Sequence, residues 1–326
     1  MFWTSYFLAV LALVLAWPVP VLLSRAAWPA RAPFTAMVLW QAIALAGGLS
    51  MIGAMLVYGL EPIGDNLIAG LRALAGMVFR NEPTTALGFW HLFALSAAAL
   101  LSAHLVFTLL LTYVKIERQR HRHRELLALL ASPSSERAGT VVINHDSPVA
   151  YCLPGGARSV TVLSDGLMAR LEPDELRAVL IHENAHLSQR HDLLLWAFAA
   201  WRQALPWFPT TRYAQLAVNS LIEMLADDVA LRSESKSTLI RAIALVAGGQ
   251  APSATASGPA DTNGPGDGSL SATGGADSPR TTASRVSRLL SPEPPLKPAY
   301  RAMVLTASAL LLAVPTALLI VPGLLG

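Results

Sequence analysis

His182, Glu183, Asn184, Ala185 and His186 form the segment of this sequence best suited to chemistry. Two histidines four apart leave a helix on one face, one turn above the other, so both can bind the same ion. Glu183 follows the first of them directly. That spacing lets its carboxylate act on a water at the ion as general base without being a ligand itself. A catalytic zinc needs a third protein ligand and an open position. Glu223 is the best candidate for that ligand, because it stands on the next expected helix in Glu223-Met224-Leu225-Ala226-Asp227. Asp227, one turn further on, is the candidate acceptor for a ligating histidine's far ring nitrogen, a contact that fixes the tautomer and strengthens donation to the metal. The competing reading is a pair of packed or surface histidines. Against it stands the context: the motif lies in the middle of a capped, largely apolar helix, and a carboxylate-bearing helix follows.

Several elements must position these residues. Glu172-Pro173-Asp174-Glu175 opens a helix, with proline pre-set for the first turn and carboxylates at the positive end of the dipole. The pattern predicts that this helix runs to about Trp201. A second helix is expected over 213–233, after a break between Pro206 and Pro209. Upstream, residues 140–144, 149–153 and 159–163 are short β-branched or apolar runs. The last two are separated by Pro154-Gly155-Gly156-Ala157, which predicts a small sheet containing a hairpin. Residues 131–139 read as a polar break, and 117–129 as a helix with a basic start. After Gly248 the composition turns to Gly, Pro, Ser, Thr, Ala and Asp until about Thr282, too poor in apolar groups to offset the entropy of ordering.

The chain has 326 residues, of which 53% are hydrophobic and only 14% charged, too apolar for an ordinary soluble protein. Four apolar runs, 2–23, 35–60, 88–114 and 302–325, reach the roughly 20 residues that a membrane helix needs. No Lys or Arg precedes the first run, so it reads as a retained span rather than a signal peptide. Lys115, Arg118, Arg120, Arg122 and Arg124 close the third span, and such clusters stay in the cytoplasm. That rule places the following segment inside and both termini outside a bacterial plasma membrane. Residues 63–79, interrupted by Asp65, Asn66 and Arg72, read as an interfacial helix. The net charge of +3 is small and local, which argues against a direct nucleic-acid partner. The basic run after the third span instead suits anionic headgroups of the lipid bilayer. Cys152 is the single cysteine, so no intrachain disulfide can form.

At this point the sequence resembles the BlaR/MecR-type antirepressor membrane metallopeptidases and, more distantly, the HtpX and CAAX prenyl protease group. The likeness covers about residues 144–232. It rests on Ala150-Tyr151-Cys152-Leu153-Pro154-Gly155-Gly156, Leu163-Ser164-Asp165-Gly166-Leu167, the helix start at 171–176, the motif from His182 to His186, His191-Asp192, and Glu223 to Asp227. The resemblance implies a cytoplasm-facing zinc endopeptidase of gluzincin type. His182, His186 and Glu223 would then ligate Zn2+, Glu183 would act as base and acid, and Asp227 would stand behind the ligands. Its substrate would be a cytoplasmic protein, with a transcriptional repressor of the BlaI type as the regulated partner. BlaR-type receptors carry an extracellular sensor after the last span, whereas this sequence ends at Gly326, so the expectation is a short form without that sensor.

The expected layout is a mainly α membrane protein with four transmembrane helices and a cytoplasmic α+β gluzincin-like domain. Its parts are a membrane domain over 1–116, the zinc peptidase domain over 117–248, a disordered linker over 249–283, a juxtamembrane segment over 284–301 and the fourth span over 302–326. Arg285 and Arg288 resemble an arginine-bearing segment of related peptidases and are candidates for oxyanion or substrate contact, or for a plain juxtamembrane basic patch. His191 and Asp192 read as structural or as supports of the ligands. The alternative to an enzyme is a non-catalytic membrane signalling or scaffold protein with a metal-stabilised domain. Glu183 argues for the enzyme, since a purely structural zinc requires no base beside its first ligand.

Overall fold

The computed structural model describes residues 2–80, 87–133, 139–154, 159–249 and 279–325. Helices dominate, with one four-stranded sheet, and the chain divides into two compact units. The first unit takes residues 1–112, 197–221 and 294–326; the second takes 113–196 and 222–293.

The first unit contains α1 (Phe2–Ala16), α2 (Pro18–Ser24), α3 (Pro33–Leu60), α4 (Leu67–Phe79), the first part of α5 (Phe89–Leu130) and α12 (Pro298–Leu325). Among the described residues, four stretches are long and apolar enough to cross a membrane: Phe2–Ser24, Pro33–Ile63, Phe89–Leu130 and Pro298–Pro322. They coincide with the four apolar runs of the sequence. The second is central, because α1 and α12 both pack on α3. Small residues let the backbones approach: a Cβ on Gly53 would stand 3.0 Å from Leu319, and one on Gly59 would lie 3.0 Å from the His91 carbonyl oxygen. α4 is capped by Asn66, whose side chain accepts from the Ala69 amide at 2.8 Å. Its 13 residues reach about 20 Å, short of a hydrocarbon core of about 30 Å.

The second unit holds the remainder of α5, β1 (Ala131–Pro133), β2 (Thr140–Ile143), β3 (Ala150–Leu153), β4 (Val160–Ser164), α6 (Asp165–Met168) and α7 (Pro173–Ser188). It also holds the start of α8 (His191–Ala204), the end of α9 (Pro209–Ala230), α10 (Lys236–Gly249) and α11 (Pro279–Leu290). The sheet order is β1-β2-β4-β3; β2 and β4 are parallel, and the outer pairs are antiparallel. The expected pairing of residues 149–153 with 159–163 is therefore present, with Cys152 opposite Thr161. β3 is an edge strand and lies against α7. Leu163, Leu167, Leu171, Leu176, Val179 and Ala242 form the core between sheet, α7 and α10. Ala178, Ala230, Leu239, Ile243 and Leu289 form a second core on the other side of α7.

Four features differ from the sequence reading. The helix expected to continue to Trp201 breaks after Ser188, because Arg190 adopts φ 50°, and α8 starts afresh at His191. A non-glycine residue in that region costs about 1–2 kcal/mol. Residues 131–133 form a strand rather than a break, since the free edge of β2 offers pairing that local propensity does not reveal. Helix α11 begins at Pro279, inside the stretch expected to be linker. The rest of that expected linker, and the hairpin turn at 155–158, lie outside the described residues. Residues 197–221, assigned from sequence to the peptidase domain, cluster instead with the membrane-spanning candidates.

Candidate metal centre

Helix α7 is fixed at its start by Glu172, whose amide donates to Glu175 Oε2 at 3.1 Å, and Pro173 occupies the first turn. Glu175 Oε1 also accepts from Arg241 Nε at 2.8 Å, tying α7 to α10. From that start, His182 and His186 fall on one face toward α9. His182 Nε2 lies 3.2 Å from Glu223 Oε2 and 3.2 Å from His186 Nε2, and His186 Nε2 lies 3.6 Å from Glu223 Oε1. One donor atom from each of the three residues lies within 4.8 Å of the others, the only such group of three among the described residues.

This arrangement fits zinc. A tetrahedral ion with bonds of about 2.0–2.1 Å holds neighbouring donors about 3.3 Å apart. The observed separations bracket that value, and two imidazole nitrogens with one carboxylate suit the same ion. Charge agrees as well: Glu183, Glu223 and Asp227 carry three negative charges when ionised against the single positive charge of Arg285, leaving two for a divalent cation to neutralise. The His182 side chain is 9% exposed, whereas those of His186 and Glu223 are each 21% exposed, so the site is open on one side.

Behind the ligands lies a buried ionic network. Asp227 Oδ1 stands 3.0 Å from His182 Nδ1. Arg285, from α11, donates through Nε to Asp227 Oδ2 at 2.8 Å and through Nη2 to Oδ1 at 2.7 Å. Its Nη1 lies 3.2 Å from Glu223 Oε2. Burial alone would raise both carboxyls. Contacts with His182 and the positive charge of Arg285 outweigh it, bringing Glu223 down to about 2 and holding Asp227 far below the usual carboxylate range. Burial likewise disfavours the His182 imidazolium, yet Asp227 and Glu223 overcome that and push it up to about 10. The two carboxylates thus favour a positive charge on His182. For His186, burial wins and brings it down to about 4.

Glu183 is pushed up to about 7, first by burial and then by the neighbouring Glu223, while His182, Arg285 and an amide hydrogen bond from Cys152 counteract. The carboxyl is therefore poised to exchange a proton near neutrality. The donor from Cys152 is a backbone group of the edge strand, and its residue type gave no hint of it. On the far side of His186, its Nδ1 lies 3.1 Å from His191 Nδ1, and His191 Nε2 lies 3.0 Å from Gln189 Oε1. If His186 offers Nε2 to an ion, its Nδ1 proton donates to His191, whose own proton sits on Nε2 and donates to Gln189. The break at Arg190 is what lets His191 fold back in this way. Asp192, the next residue, meets Arg120 at 3.2 Å.

The structure thus brings His182, Glu183, His186, Glu223, Asp227 and Arg285 together. Arg288 is placed elsewhere, donating to Asp228 Oδ1 at 2.7 Å and to the Met224 carbonyl oxygen at 3.3 Å. Arg285 reaches Asp227 through Nε and Nη2 and the candidate ligand Glu223 through Nη1, so all three guanidinium nitrogens face these two carboxylates. His121, His123 and His145 pair with Glu125, Tyr151 and Ser147, away from the cluster.

No curated protein and no solved structure matches the chain. A family model does: residues 116–259, the stretch that carries every candidate ligand and the candidate base, match Peptidase family M48, and this match supports a metallopeptidase.

Proposed function

We propose that the chain is a membrane-embedded zinc endopeptidase of the BlaR/MecR-type layout, acting on cytoplasmic protein segments. The observation that carries this reading is the convergence of His182, His186 and Glu223 donor atoms within 4.8 Å, with Glu183 beside them. His182, His186 and Glu223 would hold the ion, which supplies Lewis acidity toward water and the scissile carbonyl. Glu183 takes the proton of the attacking water and returns it to the leaving amine; a carboxyl poised near 7 can do both. Asp227 and Arg285 keep His182 and Glu223 oriented. An extended substrate can add to the open edge of β3, which runs beside α7.

Four apolar helices support a membrane location. The basic run from Lys115 to Arg124 supports a cytoplasmic catalytic unit with both termini outside. A repressor of the BlaI type is the regulatory substrate suggested by the resemblance.

The test is zinc content and proteolysis of detergent-purified protein, comparing wild type with His186→Ala and Glu183→Gln. About one zinc per chain in wild type and Glu183→Gln, little in His186→Ala, and cleavage of an unfolded model protein by wild type alone is the expected pattern. Absence of bound zinc after metal is supplied would overturn the reading.

A further inference from the structure

Residues 197–221 form the end of α8, a short turn and the first part of α9, and they cluster with the candidate spans. Three contacts fix them there. Thr210 Oγ1 donates to the Leu15 carbonyl oxygen at 3.2 Å and also to that of Ala16. His104 Nε2 lies 3.0 Å from the Ala204 carbonyl oxygen, and Thr112 Oγ1 lies 3.1 Å from Gln203 Oε1. Leu15 and Ala16 belong to the Phe2–Ser24 span. Ala16 lies eight residues before Ser24, about 12 Å along a helix. His104 lies eleven residues before Lys115, about 16 Å by the same rise. Against a hydrocarbon core of about 30 Å, both contacts sit well below the surface.

From this geometry we infer that the α8–α9 hairpin dips into the bilayer beside the first and third spans, with lipid acyl chains as the partner of its outward face. The backbone is prepared for it. Helix ends and turns expose unpaired groups that water would satisfy, and at membrane depth the protein must satisfy them itself. Here the Ala204 carbonyl oxygen is met by His104, and Thr211 Oγ1 donates to the carbonyl oxygens of Leu205 and Phe208. Pro206 and Pro209 remove two amide donors from the turn altogether.

The side chains agree. Phe198, Ala199, Ala200, Ala204, Leu205, Ala214 and Val218 are buried, whereas Trp207 and Leu216 are 71% and 59% exposed. Large apolar groups facing outward at this depth meet acyl chains rather than water. Arg202 and Arg212 are the only charged residues among 197–221. Arg212 is exposed, and its long stem can carry the head toward the interface, whereas Arg202 is half-buried with Nη1 shielded inside the protein. The helix that later presents Glu223 and Asp227 would thereby start inside the membrane. This inference stands apart from the peptidase reading, since it rests on none of the metal-site residues.

The experiment uses wild-type protein in liposomes containing a phospholipid with a photoactivatable diazirine in its acyl chain, with adducts mapped by mass spectrometry. Adducts within 197–221, at a yield within about threefold of those on the four apolar spans, are expected from acyl contact. Labelled spans with a bare hairpin would overturn the proposal. A second measurement places a nitroxide at Trp207→Cys in a Cys152→Ser background and compares collisions with oxygen and with a water-soluble nickel chelate. An oxygen-to-nickel collision ratio several-fold above that of a label at Arg232→Cys supports insertion. A ratio equal to that control means that the tip lies in water or among headgroups, and the proposal fails.

Discussion

Arg285 grips Asp227 through two parallel hydrogen bonds of 2.8 and 2.7 Å, with the two side chains only 8% and 1% exposed. A bidentate pair this well shielded fixes the carboxylate that stands 3.0 Å from His182 Nδ1. Removing one partner leaves the other charge buried and alone, which costs about 3–5 kcal/mol. Arg285→Ala is therefore expected to lower the unfolding midpoint in detergent and to weaken zinc binding by about 10- to 100-fold. Arg285→Lys keeps the charge but loses the fork, and zinc affinity between the two is expected. Competition titration with a chelator checks both. Unchanged affinity in Arg285→Ala would remove the positioning role.

Glu183→Gln separates binding from chemistry. Glutamine keeps the shape and the ability to accept from the Cys152 amide, but it cannot take a proton. Zinc stoichiometry is expected to hold while cleavage falls by about 10²- to 10⁴-fold. Because Glu183 is pushed up to about 7, the wild-type rate should decline as pH falls below neutrality and the base becomes protonated. A rate independent of pH between 5.5 and 8 would assign the base to another group.

His191 makes a narrower prediction. Its Nδ1 stands 3.1 Å from His186 Nδ1, so with zinc bound it would orient His186 without touching the ion. His191→Ala is expected to weaken zinc about tenfold and to shift the visible spectrum of the cobalt-substituted protein. His191→Asn retains an acceptor and should restore part of the affinity. Equal loss in both variants would point to packing alone.

Much of this site is legible because its determinants are local. The four-residue spacing of His182 and His186, the proline and carboxylates at the start of α7, and Glu223 four residues before Asp227 all follow helical periodicity. The spans are legible because bilayer thickness demands length and apolarity at once. Where the reading failed, the cause was tertiary. Gln189 and Arg190 are ordinary helix formers, and nothing in the chain shows that His191 will fold back. Arg285 is separated from Asp227 by 58 positions, and its role depends on which helix packs there. Residues 197–221 are of mixed polarity, and only their partners on the apolar helices reveal where they cluster.

Cys152 tests the closeness of the strand beside α7. Burial, opposed by a hydrogen bond with Thr161 and aided by the charge of Glu183, pushes the thiol up to about 11. The sign favours the neutral thiol, so thiolate appears only as pH rises toward that value. At pH 8 it amounts to about 0.1% of the thiol. Native protein is expected to resist a charged maleimide at that pH for hours, and denatured protein to react fully. Rapid native alkylation would mean that β3 leaves α7 readily.

Gly166, the second residue of α6, packs directly against the backbone of Asp146 in the segment before β3. Its amide donates to the His145 carbonyl oxygen at 3.0 Å, and a Cβ at this position would stand 2.0 Å from the Asp146 carbonyl oxygen. That neighbour is backbone, so the clash cannot be relieved by turning a side chain. Gly166→Ala must therefore push apart the segment before β3 and the start of α6, where Ser164 holds the Ser147 carbonyl oxygen at 2.7 Å and the Val149 amide at 2.9 Å. A loss of about 1–3 kcal/mol is expected from such overpacking, read as a lower unfolding midpoint. Because β3 follows directly and its Cys152 amide meets Glu183, the strain should also reach the site. Cleavage is expected to fall more than zinc affinity, since the three ligands lie on α7 and α9, outside the displaced segment. Equal loss of both would mean that this contact supports the whole unit rather than the strand beside the base.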